Sequence, residues 1–259
     1  MKANKPNVLL TNDDGYQAAG LRALAGELED FANVKIVAPS WERSGAAQSL
    51  TLRQPIVCHQ IGKNEWGIDG TPADCVIVAL HGLLQQRPDI VISGINHGAN
   101  LGENVYYSGT VGAAREAAIH HVPGFAISLC SKRVDSNFSP TSQLAWRTAE
   151  LILREKLPDQ IFLNINVPEK WQGDVKLTRQ SRKITRTLLR EGKDPRGVPY
   201  FWISEQRIDR EQDIDIDSDY AAIFAGHASV TPLHLDPTDG TALDHLSHWA
   251  AKLANGVGH

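Results

Sequence analysis

Short apolar runs alternate with amphipathic stretches through the first two-thirds of the chain. Asn7 to Thr11 (NVLLT) is an apolar run of strand length, followed by the turn-forming Asn12-Asp13-Asp14-Gly15. Ala18, Leu21, Leu24, Leu28 and Phe31 then recur at helical spacing, and Val34 to Ala38 (VKIVA) is a second apolar run. Strand, helix, strand within so few residues predicts a right-handed βαβ unit with parallel strands. Thr71-Pro72-Ala73-Asp74 reads as a helix start, with Thr71 as N-cap, Pro72 at the first helical position and Asp74 in the first turn. That helix should run on through Val76, Leu80 and Leu83. Asp89 to Ile95 (DIVISGI) predicts a buried strand and Thr110 to His120 an Ala-rich helix. Phe125 to Leu129 and Ile161 to Val167 predict further strands, with a helix from about Ser142 to Arg154 between them.

Strands that are apolar throughout, rather than alternating, belong to a sheet covered on both faces. The pattern therefore predicts an α/β fold, a Rossmann-like doubly wound sheet with mainly parallel strands. From about Val175 the character changes: Lys176 to Leu188 is basic, Asp209 to Asp219 acidic, and helical periodicity fades until the last dozen or so residues. Pro199 to Ile203 and Ser229 to Leu233 read as strands, and Leu243 to Leu253 as a short helix. We divide the chain into a core over 1–175 and, over 176–259, a β-rich extension that returns to it.

Composition adds limits. Over 259 residues, 42% are hydrophobic and 22% charged, the balance of an ordinary globular protein. The formal net charge of −4 speaks against a protein that grips a nucleic-acid duplex through a broad basic face. Cys58, Cys75 and Cys130 form neither a CxxC pair nor a zinc spacing, and read as reduced core thiols. No signal-peptide core or bilayer-length apolar segment is evident, so a cytoplasmic protein with no membrane partner is expected.

In an open parallel sheet, ligands bind outside the carboxyl ends of the strands. Polar clusters stand at such ends here: Asp13-Asp14 after the first strand, Arg43-Ser44-Gly45 after the second, and Asn96 to Asn100 after DIVISGI. By itself Asn-Asp-Asp-Gly is more simply a solvated turn. Its position raises another reading, in which two carboxylates converge with the Ser44 hydroxyl and the Asn96 amide oxygen as a hard, all-oxygen site. Such donors suit Mg²⁺, Mn²⁺ or Ca²⁺. The plainer readings of Ser44 as a loop or capping serine and of Asn96 as a left-handed turn residue remain open. Ser108-Gly109-Thr110 opens the Ala-rich helix, where free N–H groups and the helix dipole suit a phosphate and an N-cap alike.

Other motifs are absent or imperfect. There is no GxxxxGK(S/T) loop, GxGxxG fingerprint or GxSxG elbow. Asp213, Asp215, Asp217 and Asp219 alternate as in a calcium loop, but Ser218 replaces the required Gly, and a solvated acidic loop is expected. His120 and His121 are adjacent and read as surface residues.

The segments LLTNDDGYQAAGL, VAPSWERSGAAQSLT, GTPADCV, SGINHGANLGENVYYSGTVGAAREA, LNINVP, VKLTRQ and SVTPLHLDPT, in this order, resemble the SurE survival-protein nucleotidases from Val8 to about Thr238. The resemblance implies a metal-dependent phosphatase acting on nucleoside 5′-monophosphates, with 3′-nucleotides or short polyphosphate as further substrates. It implies one divalent cation per subunit held by Asp13, Asp14, Ser44 and Asn96, with Mg²⁺ or Mn²⁺ favoured over Ca²⁺ and catalysis centred on Asp13 and Asp14. Asn12, Gly45, Asn100, Ser108, Gly109 and Thr110 would surround the phosphate. A β-hairpin extension and a homodimer or homotetramer with exchanged C-terminal elements are implied as well. Two departures bear on substrate preference: Ala19 stands where Pro is usual, and Ser40-Trp41-Glu42 replaces the more typical Asp-Arg-Asn. A non-catalytic nucleotide-binding module on the same fold is the alternative. An oxidoreductase is disfavoured by the missing glycine fingerprint.

Overall fold

A computed structural model of the chain describes residues 5–131, 133–182, 185–207 and 215–256. Its centre is a nine-stranded sheet of β1 (Asn7–Thr11), β2 (Asn33–Pro39), β3 (Cys58–Gly62), β4 (Glu65–Ile68), β5 (Ile90–His97), β6 (Gly124–Cys130), β7 (Ile161–Pro168), β8 (Val175–Leu177) and β11 (Ala228–His234). The spatial order is β3-β4-β2-β1-β5-β6-β7-β11-β8. From β4 through β7 neighbouring strands are parallel, whereas β3 and β11 run antiparallel to β4 and β7. The order reverses at β1, which lies between β2 and β5, so the switch point falls at the carboxyl ends of β1 and β5.

Helices cover both faces, as continuously apolar strands require. Val8 and Leu10 turn to one face, where α1 (Ala19–Leu28) buries Leu21, Leu24 and Leu28 and α4 (Ser139–Glu155) buries Ala145, Ala149 and Ile152. Each fully buried leucine of α1 contributes about 1.5–3 kcal/mol. Leu9 turns to the other face, against Cys75 and Val76 of α2 (Pro72–Val78) and Ala113 and Ala117 of α3 (Gly109–Ile119). A Cβ on Gly20 would stand 2.1 Å from the Ile95 carbonyl oxygen, so only glycine lets α1 pack this close to β5.

Thr71 caps α2 as expected, in a full capping box with Asp74. The helix then does not continue in one geometry through Leu83: residues Ala79–Leu83 widen into a π-helical turn. β3 and β4 form an edge hairpin, with β3 (CHQIG) largely exposed. It places Cys58 in solvent, so only Cys75 is a fully buried core thiol, and Cys130 is half-buried. The expected C-terminal helix is two, α6 (Gly240–Leu246) and α7 (Trp249–Gly256), interrupted at Ser247-His248.

β9 (Thr185–Lys193) and β10 (Pro199–Arg207) pair as a separate antiparallel hairpin. α5 (Asp219–Phe224) leads into β11, which inserts between β7 and β8 in the core sheet. The acidic run before α5 is not uniformly solvated. Asp213 lies outside the described residues and Asp215 and Asp217 are exposed, but Asp219 is fully buried. His121 is exposed, whereas His120 is half-buried and hydrogen-bonded to Glu116 and His81. No helix among the described residues is long and apolar enough to cross a membrane.

Candidate active site

The Asn12–Gly15 turn is braced from within. Asn12 Nδ2 donates to the Gly15 carbonyl at 2.9 Å, and the Gly15 N–H donates back to Asn12 Oδ1 at 3.2 Å. Gly15 holds φ +97°, a conformation that costs other residues strain. The Arg43 N–H donates to the Asp13 carbonyl at 2.6 Å, joining this turn to the one after β2. Asn12 is buried and its amide serves the loop itself.

Asp13 is buried against the start of α3. Its carboxylate accepts a hydrogen bond from Thr110 Oγ1, and the backbone amides of Gly109 and Thr110 also stabilise its charge. Burial outweighs these contacts and raises its pKa above the ordinary carboxylate value. Gly109 is required by this approach: a Cβ there would lie 2.9 Å from the Asp13 Cβ and 3.0 Å from Pro72 Cγ. Asp14 is half-buried and accepts from the His97 N–H at 3.2 Å. Burial, with repulsion from Asp13 next, pushes its pKa up to about 6.

The first turn of α3 has fewer open donors than the expectation of free N–H groups supposed. Ser108 Oγ accepts from the Val111 N–H at 3.1 Å, the Ser108 carbonyl accepts from Gly112, and the Gly109 and Thr110 amides face Asp13. The positive end of this helix meets a carboxylate of the protein first. The Ser108 hydroxyl proton remains available for donation.

Asn96 and His97 close β5 rather than follow it. Asn96 Nδ2 donates to the Gly98 carbonyl at 2.7 Å, which leaves its Oδ1 without a hydrogen bond among the described residues. Ser44 is exposed on the loop after β2 and donates to Glu42 Oε1 at 2.8 Å; Gly45 beside it takes φ +75°. Asn100 is buried and knitted to the neighbouring strands. Its N–H donates to Asn166 Oδ1 at 2.8 Å, its Nδ2 to Ser128 Oγ at 2.9 Å, and its carbonyl accepts from Asn164 and Asn166.

These contacts bring the turns after β1, β2 and β5 and the start of α3 to one place. Two crowded carboxylates with raised pKa values and an amide oxygen free of other hydrogen bonds form a donor set that fits a hard divalent cation, while the Ser44 hydroxyl is turned to Glu42. Among the described residues no group of three His, Cys, Asp or Glu could hold a metal, so any cation here relies on neutral oxygens beside the two aspartates.

A family model described as Survival protein SurE matches residues 8–187, which include every residue of this site. The chain belongs to the SurE family. It is 42% identical over 246 residues to the 5′-nucleotidase SurE of Geotalea daltonii, covering 93% of this chain and 98% of that one. The 5′-nucleotidase SurE of Legionella pneumophila is also 42% identical, over 245 residues, covering 93% and 96%. Among solved structures, the SurE protein from Aquifex aeolicus superposes with a TM-score of 0.83 at 35% identity, across 95% of this chain and all of that chain.

Several residues that brace this candidate site carry no clear mark in the sequence. Asn164 and Asn166 leave only a faint one: two amides at period two on one face of an apolar strand (IFLNINVP). The His97 and Arg43 contacts are made by backbone N–H groups, for which side-chain chemistry gives no signal.

Proposed function

We propose that this chain hydrolyses nucleoside 5′-monophosphates to nucleoside and phosphate with the help of one divalent cation, Mg²⁺ or Mn²⁺. The observation that carries the reading is the Asp13-Asp14 pair at the switch point of the sheet, facing the start of α3, in a chain 42% identical to SurE 5′-nucleotidases. Asp13, Asp14, Ser44 Oγ and Asn96 Oδ1 would hold the cation. When bound, it supplies Lewis-acid polarisation of the phosphoryl group and offsets the charge that builds up as the ester bond breaks.

The remaining work falls to the protein. Thr110 and the Gly109 amide fix the Asp13 carboxylate in one orientation, and the His97 N–H does the same for Asp14. The Ser108 hydroxyl donates to a non-bridging phosphoryl oxygen, and the α3 dipole favours the anion there. Gly45, with no side chain to obstruct it, lets the loop after β2 approach the phosphate. Asn12 and Asn100 act by holding the loops that carry these groups. 3′-Nucleotides and short polyphosphate belong to the same reading as secondary substrates.

Assembly into a homodimer or homotetramer completes the proposal, with residues 1–175 as catalytic core and 176–259 as the assembling extension. Phe201, Trp202 and Ile203 are exposed on β10, and Leu243, Trp249 and Leu253 on the C-terminal helices, an unusual amount of apolar surface for a monomer. The reading places the protein in the cytoplasm, where its unpaired cysteines would stay reduced. Phosphate release from a panel of nucleoside 5′-monophosphates, with Mg²⁺, Mn²⁺ or EDTA, tests the function. Cation-dependent release is expected; release that EDTA leaves untouched would reject the cation's role.

A further inference from the structure

α2 and α3 pack against each other on one face of the sheet, and two histidines meet near the ends of both helices. His81 lies on the π-helical turn Ala79–Leu83 that prolongs α2, and His120 is the C-cap of α3. Their rings stand edge to face with centroids 4.8 Å apart, and His81 Nε2 is 3.2 Å from His120 Nδ1. A π turn takes one more residue than an α turn, and such turns recur at functional sites. Here the widened turn is the one that presents His81 to α3.

A carboxylate backs the pair. Glu116, one turn before His120 on α3, is only 5% exposed, and its Oε1 lies 3.2 Å from His120 Nε2. Its Oε2 accepts from Gln48 Nε2 at 2.6 Å, and Arg87 donates to the His120 carbonyl, fixing the cap from the backbone side. A carboxylate only accepts, so the His120 proton sits on Nε2, and Nδ1 turns a lone pair towards His81. A carboxylate behind an imidazole fixes the tautomer and raises the basicity of metal-binding histidines. The Asp13-Asp14 cluster differs in kind, because its donors are oxygens and these are nitrogens.

Distance adds a second argument. Two imidazole nitrogens on one tetrahedral ion, each about 2.0–2.1 Å from it, lie about 3.3–3.4 Å apart. The observed 3.2 Å reaches that spacing without backbone movement, through a turn of the exposed His81 ring.

We propose that His81 and His120 form a second cation site for a nitrogen-preferring divalent ion, Zn²⁺, Ni²⁺ or Cu²⁺, with Glu116 as a positioning residue. Two protein ligands leave the remaining positions to water, and imidazole donors suit these ions better than Mg²⁺. A bound ion ties α2 to α3 and, through Glu116 and Gln48, to the loop after β2 that carries Ser44 and Gly45. The site stands independently of the phosphomonoesterase reading.

The test uses the untagged full chain, as wild type and as Asp13→Asn, the latter to remove competition from the oxygen site. Calorimetric titration with Zn²⁺ should show a saturable site that persists in Asp13→Asn, and Zn²⁺ should raise the melting temperature by several degrees. In that background His81→Ala and His120→Ala should each weaken Zn²⁺ binding by more than about tenfold, since loss of an outer partner alone costs about 10–100-fold. Glu116→Gln should fall within that outer-partner range. Electron paramagnetic resonance of the Cu²⁺-loaded protein should show a pair of coordinated nitrogens, and one fewer in His81→Ala. Absence of saturable Zn²⁺ binding in Asp13→Asn, or binding and nitrogen coordination unchanged by His81→Ala, would overturn the site. His81 is exposed, so its variant decides the matter even where His120→Ala or Glu116→Gln fails to fold. None of these readouts depends on phosphate release, so a failure of the hydrolase reading would leave them intact.

Discussion

Thr110 Oγ1 donates a hydrogen bond to the carboxylate of Asp13, joining two residues 97 positions apart in the chain. Both groups are buried, so the contact orients the carboxylate and satisfies part of its demand for donors. Thr110→Val keeps the shape and removes the donor. It should destabilise the fold by about 1–3 kcal/mol and weaken cation affinity by about 10–100-fold. Calorimetric titration with Mn²⁺, paired with urea denaturation in EDTA, reads both effects. Unchanged affinity would show that the hydroxyl does not orient Asp13 for a cation.

Gly109 tests the same approach from the backbone side. Gly109→Ala would put a methyl group 2.9 Å from the Asp13 Cβ, and Asp13 and Pro72 would have to give way together. A cost of about 1–3 kcal/mol in stability is expected, with lower activity because the carboxylate moves. A variant with wild-type activity and stability would mean that the turn has slack.

The raised pKa of Asp14 sets a pH dependence whose sign is fixed. Its folded value of about 6 lies above the reference value of 3.8, so between the two the folded state holds a proton that the unfolded chain releases. In EDTA, stability should therefore fall as pH rises from about 4 to about 6, and Asp13, also raised, acts in the same direction. Allowing for the partial exposure of Asp14, the effect is on the order of 1–2 kcal/mol, and Asp14→Asn should reduce it. Saturating Mn²⁺ should reverse the slope, because the cation binds the ionised pair and stabilises the fold by mass action. Urea midpoints across this pH range, with and without Mn²⁺, would contradict the account if the two curves ran parallel.

Asp74 offers a control outside the proposed cation and phosphate ligands. It closes the capping box of α2 and accepts from the Thr51 N–H at 3.0 Å and Thr51 Oγ1 at 2.6 Å, holding the 50–51 loop against the helix. Asp74→Ala should cost about 1–3 kcal/mol by urea denaturation while sparing kcat at temperatures where the fold persists. Loss of kcat without loss of stability would point to a direct catalytic part for Asp74.

What could be read in the sequence was what short-range physics determines. NVLLT and DIVISGI are apolar throughout because helices cover both faces of β1 and β5, and Thr71-Pro72-Ala73-Asp74 starts a helix by local capping. The same logic placed Asp13-Asp14 at the switch point, because a doubly wound sheet reverses its order beside its first strand. Long-range partners were not legible. Asp219 looked like part of a solvated acidic run because its burial depends on donors from Gly102 and Ser181, far away in the chain. β3 was missed because an exposed edge strand carries no apolar alternation. The amides at the start of α3 were expected to be open, and only the folded structure sets Asp13 against them.

The proposed function makes Asp13 part of the catalytic centre and not a turn residue. It is tested most directly by phosphate release from AMP by Asp13→Asn at saturating Mn²⁺, beside wild type. The account predicts a fall in kcat of at least about a hundredfold, equivalent to about 3 kcal/mol of transition-state stabilisation, in a protein whose circular dichroism is unchanged. Full turnover by Asp13→Asn would contradict it.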